Sequence, residues 1–135
     1  EQFVLARRSD MKSVNPNMQV FLGDSMGELL LFYSVAQLAF VGGSLIPRGG
    51  HNFIEPAALG VPVMIGTHVF NFNQMFALFA KEKAIVSVND TFAETLIQLA
   101  KNKDARELLS KNALKVVAAN RGALAKQLAL IQGIL

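Results

Sequence analysis

Cysteine is absent from the 135-residue sequence, histidine occurs only twice, and charged residues make up 17% of the chain. Without cysteine the chain can hold no disulfide, no zinc–thiolate or iron–sulfur site and no thiol nucleophile. His51 and Glu55 have the i, i+4 spacing of two metal ligands, but no third convincing ligand and no H-E-x-x-H pattern accompany them, so no metal cofactor is expected. Hydrophobic residues make up 52%, which excludes an intrinsically disordered chain. The length predicts a single domain covering residues 1–135.

The net charge of +3 and the pI near 9.5 would suit a nucleic-acid partner. The basic residues are scattered, however, and those in the last third have the spacing of a solvated helix face, so no nucleic-acid partner is expected. Residues 29–46 form an uncharged run near the lower length limit of a membrane span. Gly42-Gly43-Ser44 interrupts this run, which favours a buried helix followed by a buried strand.

Short apolar runs alternate with segments of helical periodicity. The runs are residues 3–6, 19–23, 38–42, 61–66 and 84–88, and their continuous hydrophobicity is typical of parallel strands covered on both faces. The predicted helices are residues 26–36, 52–59, 73–83 and 91–101, followed by one that Asp104 caps and that runs toward Leu135. This order predicts an α/β fold with a Rossmann-like, doubly wound parallel sheet that binds ligands at the carboxyl ends of its strands.

The segment from Gly42 to Pro56 lies between a predicted strand and a predicted helix and carries two glycine pairs, Gly42-Gly43 and Gly49-Gly50. Glycine lets a backbone approach a ligand closely, and free N–H groups at the start of a helix favour an anion such as phosphate. The alternative is that the glycines only make tight turns. Neither the dinucleotide fingerprint nor a P-loop is present, so the spacing leaves both interpretations open.

Three charged or titratable side chains lie near this loop or near an equivalent helix start. Glu55 is suited to accept hydrogen bonds from two ribose hydroxyls, or to form a capping box with Asn52. Glu28, in Met26-Gly27-Glu28, either helps to line the same nucleotide or caps its helix with Ser25. His51 is expected to orient the loop or to contact phosphate. If both helix starts lie at one edge of the sheet, they would face a single nucleotide.

The glycine loop, with Gly49-Gly50-His51-Asn52-x-x-Glu55-Pro56, resembles the C-terminal domain of the 3-deoxy-D-manno-octulosonic acid (Kdo) transferases of lipopolysaccharide assembly. The similarity covers nearly the whole chain in order, through Gly23-Asp24-Ser25-Met26-Gly27-Glu28-Leu29, Phe40-Val41-Gly42-Gly43-Ser44-Leu45, Gly66-Thr67-His68-x-x-Asn71-Phe72 and Asn120-Arg121-Gly122-Ala123-Leu124.

The resemblance implies the C-terminal half of a GT-B glycosyltransferase, inverting or retaining, that binds the donor CMP-Kdo. The family usually has further strands before the segment matching Phe3, and the chain starts at Glu1 without methionine, so the expectation is an N-terminally truncated donor-binding domain. The nucleotide-binding residues would be Met26, Gly27, Glu28, Gly43, Ser44, Gly49, Gly50, His51, Asn52, Phe53, Ile54 and Glu55.

The resemblance also implies what lies outside this chain. The catalytic base and the site for the lipid A precursor would belong to the absent N-terminal half, so this chain would hold no catalytic residue and would be inactive alone. The full-length protein would act at the cytoplasmic face of the inner membrane, whereas this fragment would be soluble. The alternatives are a non-catalytic nucleotide or sugar-phosphate binding module, or a GT-B domain using another nucleotide sugar such as a UDP-sugar.

Overall fold

The computed structural model describes residues 3–10 and 16–122. The chain divides into two compact units, Glu1–Phe32 and Tyr33–Leu135, each of which is described by itself. The expectation that residues 1–135 form one donor-binding domain stays a prediction. The Leu124, Leu128 and Ile131 stripe of the last predicted helix lies outside the described residues.

The first unit contains two short parallel strands, β1 (Leu5–Arg7) and β2 (Val20–Leu22). Both are largely exposed, so the prediction that these runs are buried on both faces is wrong. In the described part of this unit, the aromatic contact of β2 is the edge-on packing of Phe21 against Phe32, with ring centroids 5.9 Å apart. A two-stranded ribbon has too few neighbours to bury its apolar side chains.

The second unit is a three-layer α/β arrangement. Its sheet has the order β3 (Ala39–Val41), β4 (Val63–Gly66) and β5 (Val86–Val88), with both pairings parallel. The helices that alternate with these strands are α2 (Ile54–Ala58), α3 (Asn73–Lys81), α4 (Phe92–Lys101) and α5 (Lys103–Asn120), and a 3₁₀ turn, Phe70–Phe72, precedes α3. The predicted α/β class with parallel strands is confirmed.

The central strand β4 is buried on both faces and organises the core. Val63 and Ile65 belong to a cluster with residues of α2, α3 and α5, which includes Phe53 and Phe79. Met64, which points to the opposite face, packs in a second cluster with Val88, Leu99 and Leu109. Because successive side chains of a strand alternate between faces, this division places helices on both sides of the sheet.

The helix α1 (Leu29–Val35) has no buried residue, so the prediction of a buried helix in the uncharged run is wrong. Leu29, Leu30 and Leu31 are 51–56% exposed, so the described part of the chain covers each of them only about half. The strand half of the expectation is confirmed, since Ala39 and Val41 of β3 are buried. None of the helices in residues 3–10 and 16–122 combines the length and the apolar character needed to cross a membrane.

Helix ends differ from their predicted positions in ways that local hydrogen bonds explain. α1 begins at Leu29, not Met26, because Glu28 supplies the first helical carbonyl, accepting from Phe32 N–H at 3.1 Å. α5 is capped by Asn102, whose side chain accepts from Ala105 N–H at 3.0 Å, and not by Asp104. Gly60 ends α2 with a positive φ, as predicted.

Replacement of Phe79 by alanine is expected to destabilise the second unit by about 3–5 kcal/mol, because Phe79 is fully buried and packs edge-on against Phe53. Chemical denaturation of the chain would measure the loss of unfolding free energy. Leu59→Ala is the control, since Leu59 is 48% exposed and should cost much less. Equal losses in the two variants would contradict this assignment of the core.

Candidate functional site

The glycine loop that follows β3 closes on itself. Gly50 N–H donates to Gly43 O at 2.9 Å, and His51 N–H donates to Gly42 O at 3.2 Å. Gly43, Gly49 and Gly50 have φ values of +70°, +91° and +75°, which L side chains rarely adopt. Glycine is therefore needed at these three positions because of the backbone conformation of the loop. The loop brings the predicted residues 42–55 together at the carboxyl end of β3.

His51 covers the start of the loop. A Cβ atom built on Gly43 would lie 3.2 Å from Nε2 of His51, so the imidazole packs directly over that glycine. The side chain remains exposed. This placement agrees with an orienting role for His51 and leaves its ring accessible to a ligand.

A second loop, after β4, packs along the glycine loop. His68 N–H donates to Ser44 O at 2.9 Å, and Asn71 N–H donates to Gly49 O at 3.3 Å. A Cβ atom on Gly49 would lie 2.6 Å from Cγ of Asn71, so any side chain at this position would force the Asn71 side chain to move. The two loops therefore contact each other both near their strands and at the glycine-loop tip.

Ser44 and Phe53, both predicted nucleotide-binding residues, direct their side chains into the protein. Each has no exposed surface. The Ser44 hydroxyl donates to Val41 O at 2.6 Å and accepts from Gly66 N–H at 2.8 Å. The Phe53 ring packs edge-on against Phe72 and Phe79, with centroids 5.8 and 5.3 Å away. Because the whole of each residue is buried, backbone included, neither offers surface to a ligand in this conformation, and their predicted contact with the nucleotide stays a prediction.

Asn52 and Glu55 are linked by a side-chain hydrogen bond in place of the predicted capping box, and the N-cap position of α2 is Phe53. Asn52 Oδ1 accepts from Ile54 N–H at 3.0 Å, and its Nδ2 donates to Glu55 Oε1 at 2.8 Å. α2 is only five residues long, so its dipole adds little, and the helix begins two residues later than predicted. Glu55 is half-buried, and among the described residues its Oε2 has no hydrogen-bond donor. The carboxylate is thus oriented and keeps one oxygen for a ligand.

Tyr33 is a neighbour of this site that the sequence interpretation missed. Burial first, and the negative charge of Glu55 second, raise the pKa of the Tyr33 phenol above its ordinary value of 10.0. The influence of Glu55 places a neutral hydroxyl in the vicinity of its carboxylate. Tyr33 precedes the glycine loop by a whole strand, so sequence spacing gave no signal for this pairing.

In the first unit, Glu28 is already engaged by Arg8. The guanidinium donates to both Glu28 oxygens, at 2.8–3.2 Å, and the Ser25 hydroxyl also donates to the carboxylate. Met26 is 97% exposed, and Gly27 has a φ of +81°, both before α1 begins. Ser25 therefore bonds the Glu28 carboxylate in place of the predicted capping box, and the partnership with Arg8 was not predicted. That Met26–Glu28 also contacts the nucleotide stays a prediction.

A different concavity lies at the opposite end of the sheet. A groove of about 910 Å³ runs along α5 next to Gly60 and Pro62, which precede β4. None of the predicted nucleotide-binding residues lines it. Its Arg106 donates to the last carbonyls of α4, Leu99 O and Ala100 O, at 2.6 and 2.7 Å, so this cation already has a structural partner. The glycine loop therefore remains the candidate site.

Within residues 3–10 and 16–122, no three His, Asp or Glu side chains are grouped closely enough to hold a metal ion. His51 and Glu55 thus belong to no such group in the described part of the chain. The polar groups assembled at the glycine loop are backbone N–H groups, one imidazole and one carboxylate, a set suited to a phosphorylated ligand with hydroxyl groups.

The Arg8–Glu28 pair predicts an acid-sensitive first unit. The hydrogen bonds from Arg8, and next the one from Ser25, hold the pKa of Glu28 below its ordinary value of 4.5. A lowered folded-state pKa stabilises the fold above the unfolded pKa, and this contribution is lost as the pH falls through the folded-state pKa. NMR titration of the Glu28 carboxyl carbon should give a midpoint below 4.5, and Arg8→Gln should raise it more than Ser25→Ala does. An unchanged midpoint in Arg8→Gln would contradict the pairing.

Comparison with proteins of known family gives a consistent result. The 3-deoxy-D-manno-octulosonic acid transferase of Haemophilus influenzae is 42% identical over 135 residues, covering 98% of this chain and 32% of that protein. The enzyme of the same name from Bordetella pertussis is 36% identical over 110 residues, covering 80% of this chain and 26% of that protein. The chain thus spans about a third or less of these relatives. No family model matches it.

A solved structure is similar in fold as well as in sequence. The crystal structure of the C-terminal CMP-Kdo binding domain of WaaA from Acinetobacter baumannii superposes with a TM-score of 0.80 at 39% sequence identity. The match covers 85% of this chain and 61% of that domain. In fold and sequence, the chain belongs to the 3-deoxy-D-manno-octulosonic acid transferase family, and it corresponds to part of the C-terminal domain.

Proposed function

We propose that this chain is the donor-binding part of a Kdo transferase and that its glycine loop, residues 42–55, binds the CMP portion of CMP-Kdo. The similarity to a CMP-Kdo binding domain, at 39% identity and a TM-score of 0.80, is the observation that carries the proposal. The closed backbone of the loop and the free oxygen of Glu55 supply the chemistry that such a ligand requires.

The phosphate of the donor would be held by backbone N–H groups. Among the described residues, the N–H groups of Gly43 and Asn52, which are not buried, donate to no protein acceptor. The backbone bonds that close the loop hold these donors in position before a ligand arrives. As the glycosidic bond to the phosphate breaks, negative charge grows on the departing CMP, and fixed N–H donors stabilise that charge without reorganising.

Glu55 would accept hydrogen bonds from the ribose hydroxyls. Its Oε1 is held by Asn52 Nδ2 at 2.8 Å, which fixes the direction of the carboxylate, and its Oε2 is available. An ionised carboxylate accepts stronger hydrogen bonds than a neutral group does. The ribose contact would use Oε2 of Glu55, whereas the hydrogen bond from Asn52 uses Oε1, so the two interactions are compatible.

The remaining parts of the reaction would come from the rest of the whole protein. The chain corresponds to 32% of the Haemophilus influenzae relative, so the acceptor site has ample sequence elsewhere. We assign the lipid A precursor, the base that deprotonates its hydroxyl and the association with the inner membrane to those other parts. The transferase activity is accordingly a property of the full-length protein.

Isothermal titration of the 135-residue chain with CMP, UMP, UDP and AMP tests the donor assignment. CMP is expected to bind at least about tenfold more tightly than the other nucleotides, because a site that pairs with cytosine leaves buried polar groups unmatched with other bases. A preference for UDP would instead indicate a GT-B domain for a UDP-sugar. Absence of binding by every nucleotide would overturn the proposal.

Glu55→Ala is expected to weaken CMP binding by about 10- to 100-fold, since hydrogen bonds to a charged group contribute about 1.5–3 kcal/mol. Glu94→Ala removes an exposed carboxylate from the first turn of α4 and serves as the matched control. Deoxy-CMP should lose affinity for the parent chain but little for Glu55→Ala. If Glu55→Ala binds CMP as tightly as the parent, the ribose assignment is wrong.

A further inference from the structure

We infer that Ser44 is a positioning residue: its buried hydroxyl ties the end of β3 to the end of β4 and thereby holds the donor-binding glycine loop in its closed conformation. The inference rests on the proposed function in one respect, because the loop must bind the donor for its position to affect affinity. This positioning role is different from a direct contact between the Ser44 side chain and the nucleotide, because that side chain is buried.

The hydroxyl has two partners on different strands. It donates to Val41 O, the last residue of β3, at 2.6 Å, and it accepts from Gly66 N–H, the last residue of β4, at 2.8 Å. Ser44 is the buried polar residue in the described core, with no exposed surface. A buried N–H without a partner is costly, so the Gly66 amide depends on this oxygen.

The backbone of Ser44 extends the same connection into the next loop. Its carbonyl oxygen accepts from His68 N–H at 2.9 Å. Ser44 thus makes three hydrogen bonds: one to the last residue of β3, one to the last residue of β4 and one to the loop that follows β4. The relative position of the two loops is set at this point.

Gly66 makes this approach sterically possible. A Cβ atom on Gly66 would collide with the Ser44 carbonyl and would lie 2.6 Å from Leu45 N. Gly66 does not have a positive φ, so its backbone conformation does not require glycine. Glycine is required there because the Ser44–Leu45 peptide comes so close. Any side chain at this position would push the Ser44–Leu45 peptide away from β4.

Displacement at Ser44 would be transmitted directly to the ligand-facing groups. Ser44 immediately follows Gly43, whose carbonyl accepts the Gly50 N–H that closes the loop. On the far side of the loop, Asn71 donates hydrogen bonds to Gly49 O and Arg48 O, and the Asn71 Nδ2 contact with Arg48 O is long at 3.5 Å. The bonds at Ser44 are shorter and buried, so they define the loop position more strongly.

The test compares Ser44→Ala with Leu109→Ala in the 135-residue chain. Leu109 is buried in the other core cluster, with Met64 and Leu99, so its truncation lowers stability without touching either loop. Ser44→Ala is expected to raise the CMP dissociation constant about tenfold, because small displacements of binding groups are costly. Leu109→Ala should leave it within about twofold at a temperature where both variants are folded.

Amide chemical shifts in NMR spectra distinguish a displaced loop from a general loss of stability, because a loss of stability alone would not change them. In the ligand-free Ser44→Ala variant, the resonances of Gly43, Gly50 and His51 should shift, whereas in Leu109→Ala they should not. Ser44→Cys, which keeps a small side chain with a weaker donor, covers the case in which Ser44→Ala fails to fold, and it should show the same shifts to a smaller extent.

The outcomes separate this inference from the proposed function. Equal CMP affinities for folded Ser44→Ala and Leu109→Ala, or unchanged loop resonances in the serine variants, would overturn the positioning role. If the parent chain binds no CMP, the proposed function fails, and the spectra alone then decide whether Ser44 holds the loop. Gly66→Ala should reproduce both effects by steric displacement, and normal binding by that variant would also contradict the inference.

Discussion

The contact between the Ser44–Leu45 peptide and the bare Cα of Gly66 is the constraint on which the candidate site depends. β3 and β4 are neighbours in a parallel sheet, so the loops that leave their carboxyl ends start side by side. The lack of a side chain at Gly66 lets these loops touch, and the Ser44 hydroxyl fills the hydrogen-bonding requirement that the close contact creates. The loop surface available to a ligand follows from this short distance at its base.

At the end of the glycine loop, neighbouring residues serve either the core or the candidate site. Phe53 anchors the end of the glycine loop among the aromatic rings of the core, while Asn52 and Glu55 on either side remain accessible. Because Phe53 is held on one side and the Gly50–Gly43 bond on the other, the backbone N–H groups between them have little freedom. Prearranged dipoles of this kind give strong binding of an anion without a long helix, which α2, at five residues, does not supply.

The parts of the structure that the sequence predicted are those that local patterns determine. The uninterrupted apolar run of β4 predicted a strand buried on both faces, and the glycine pairs predicted tight turns or a close backbone approach in the loop, which shows positive φ values at Gly43, Gly49 and Gly50. Burial of α1 was mispredicted, because hydrophobicity does not reveal whether another element is present to cover a helix. Arg8 and Glu28, which are 20 residues apart, pair through tertiary contacts that no local pattern carries. The inward direction of the Ser44 hydroxyl is likewise invisible in a Gly-Gly-Ser sequence, since it depends on a strand 22 residues further along.

The reciprocal fit at the base of the loops has an evolutionary consequence. A residue with a side chain at position 66 is compatible only with a differently placed peptide at 44–45, and a different peptide there no longer needs a serine. Each position therefore restricts the substitutions that natural selection can accept at the other. Among homologous chains, the two sites should change together, through a rare paired replacement.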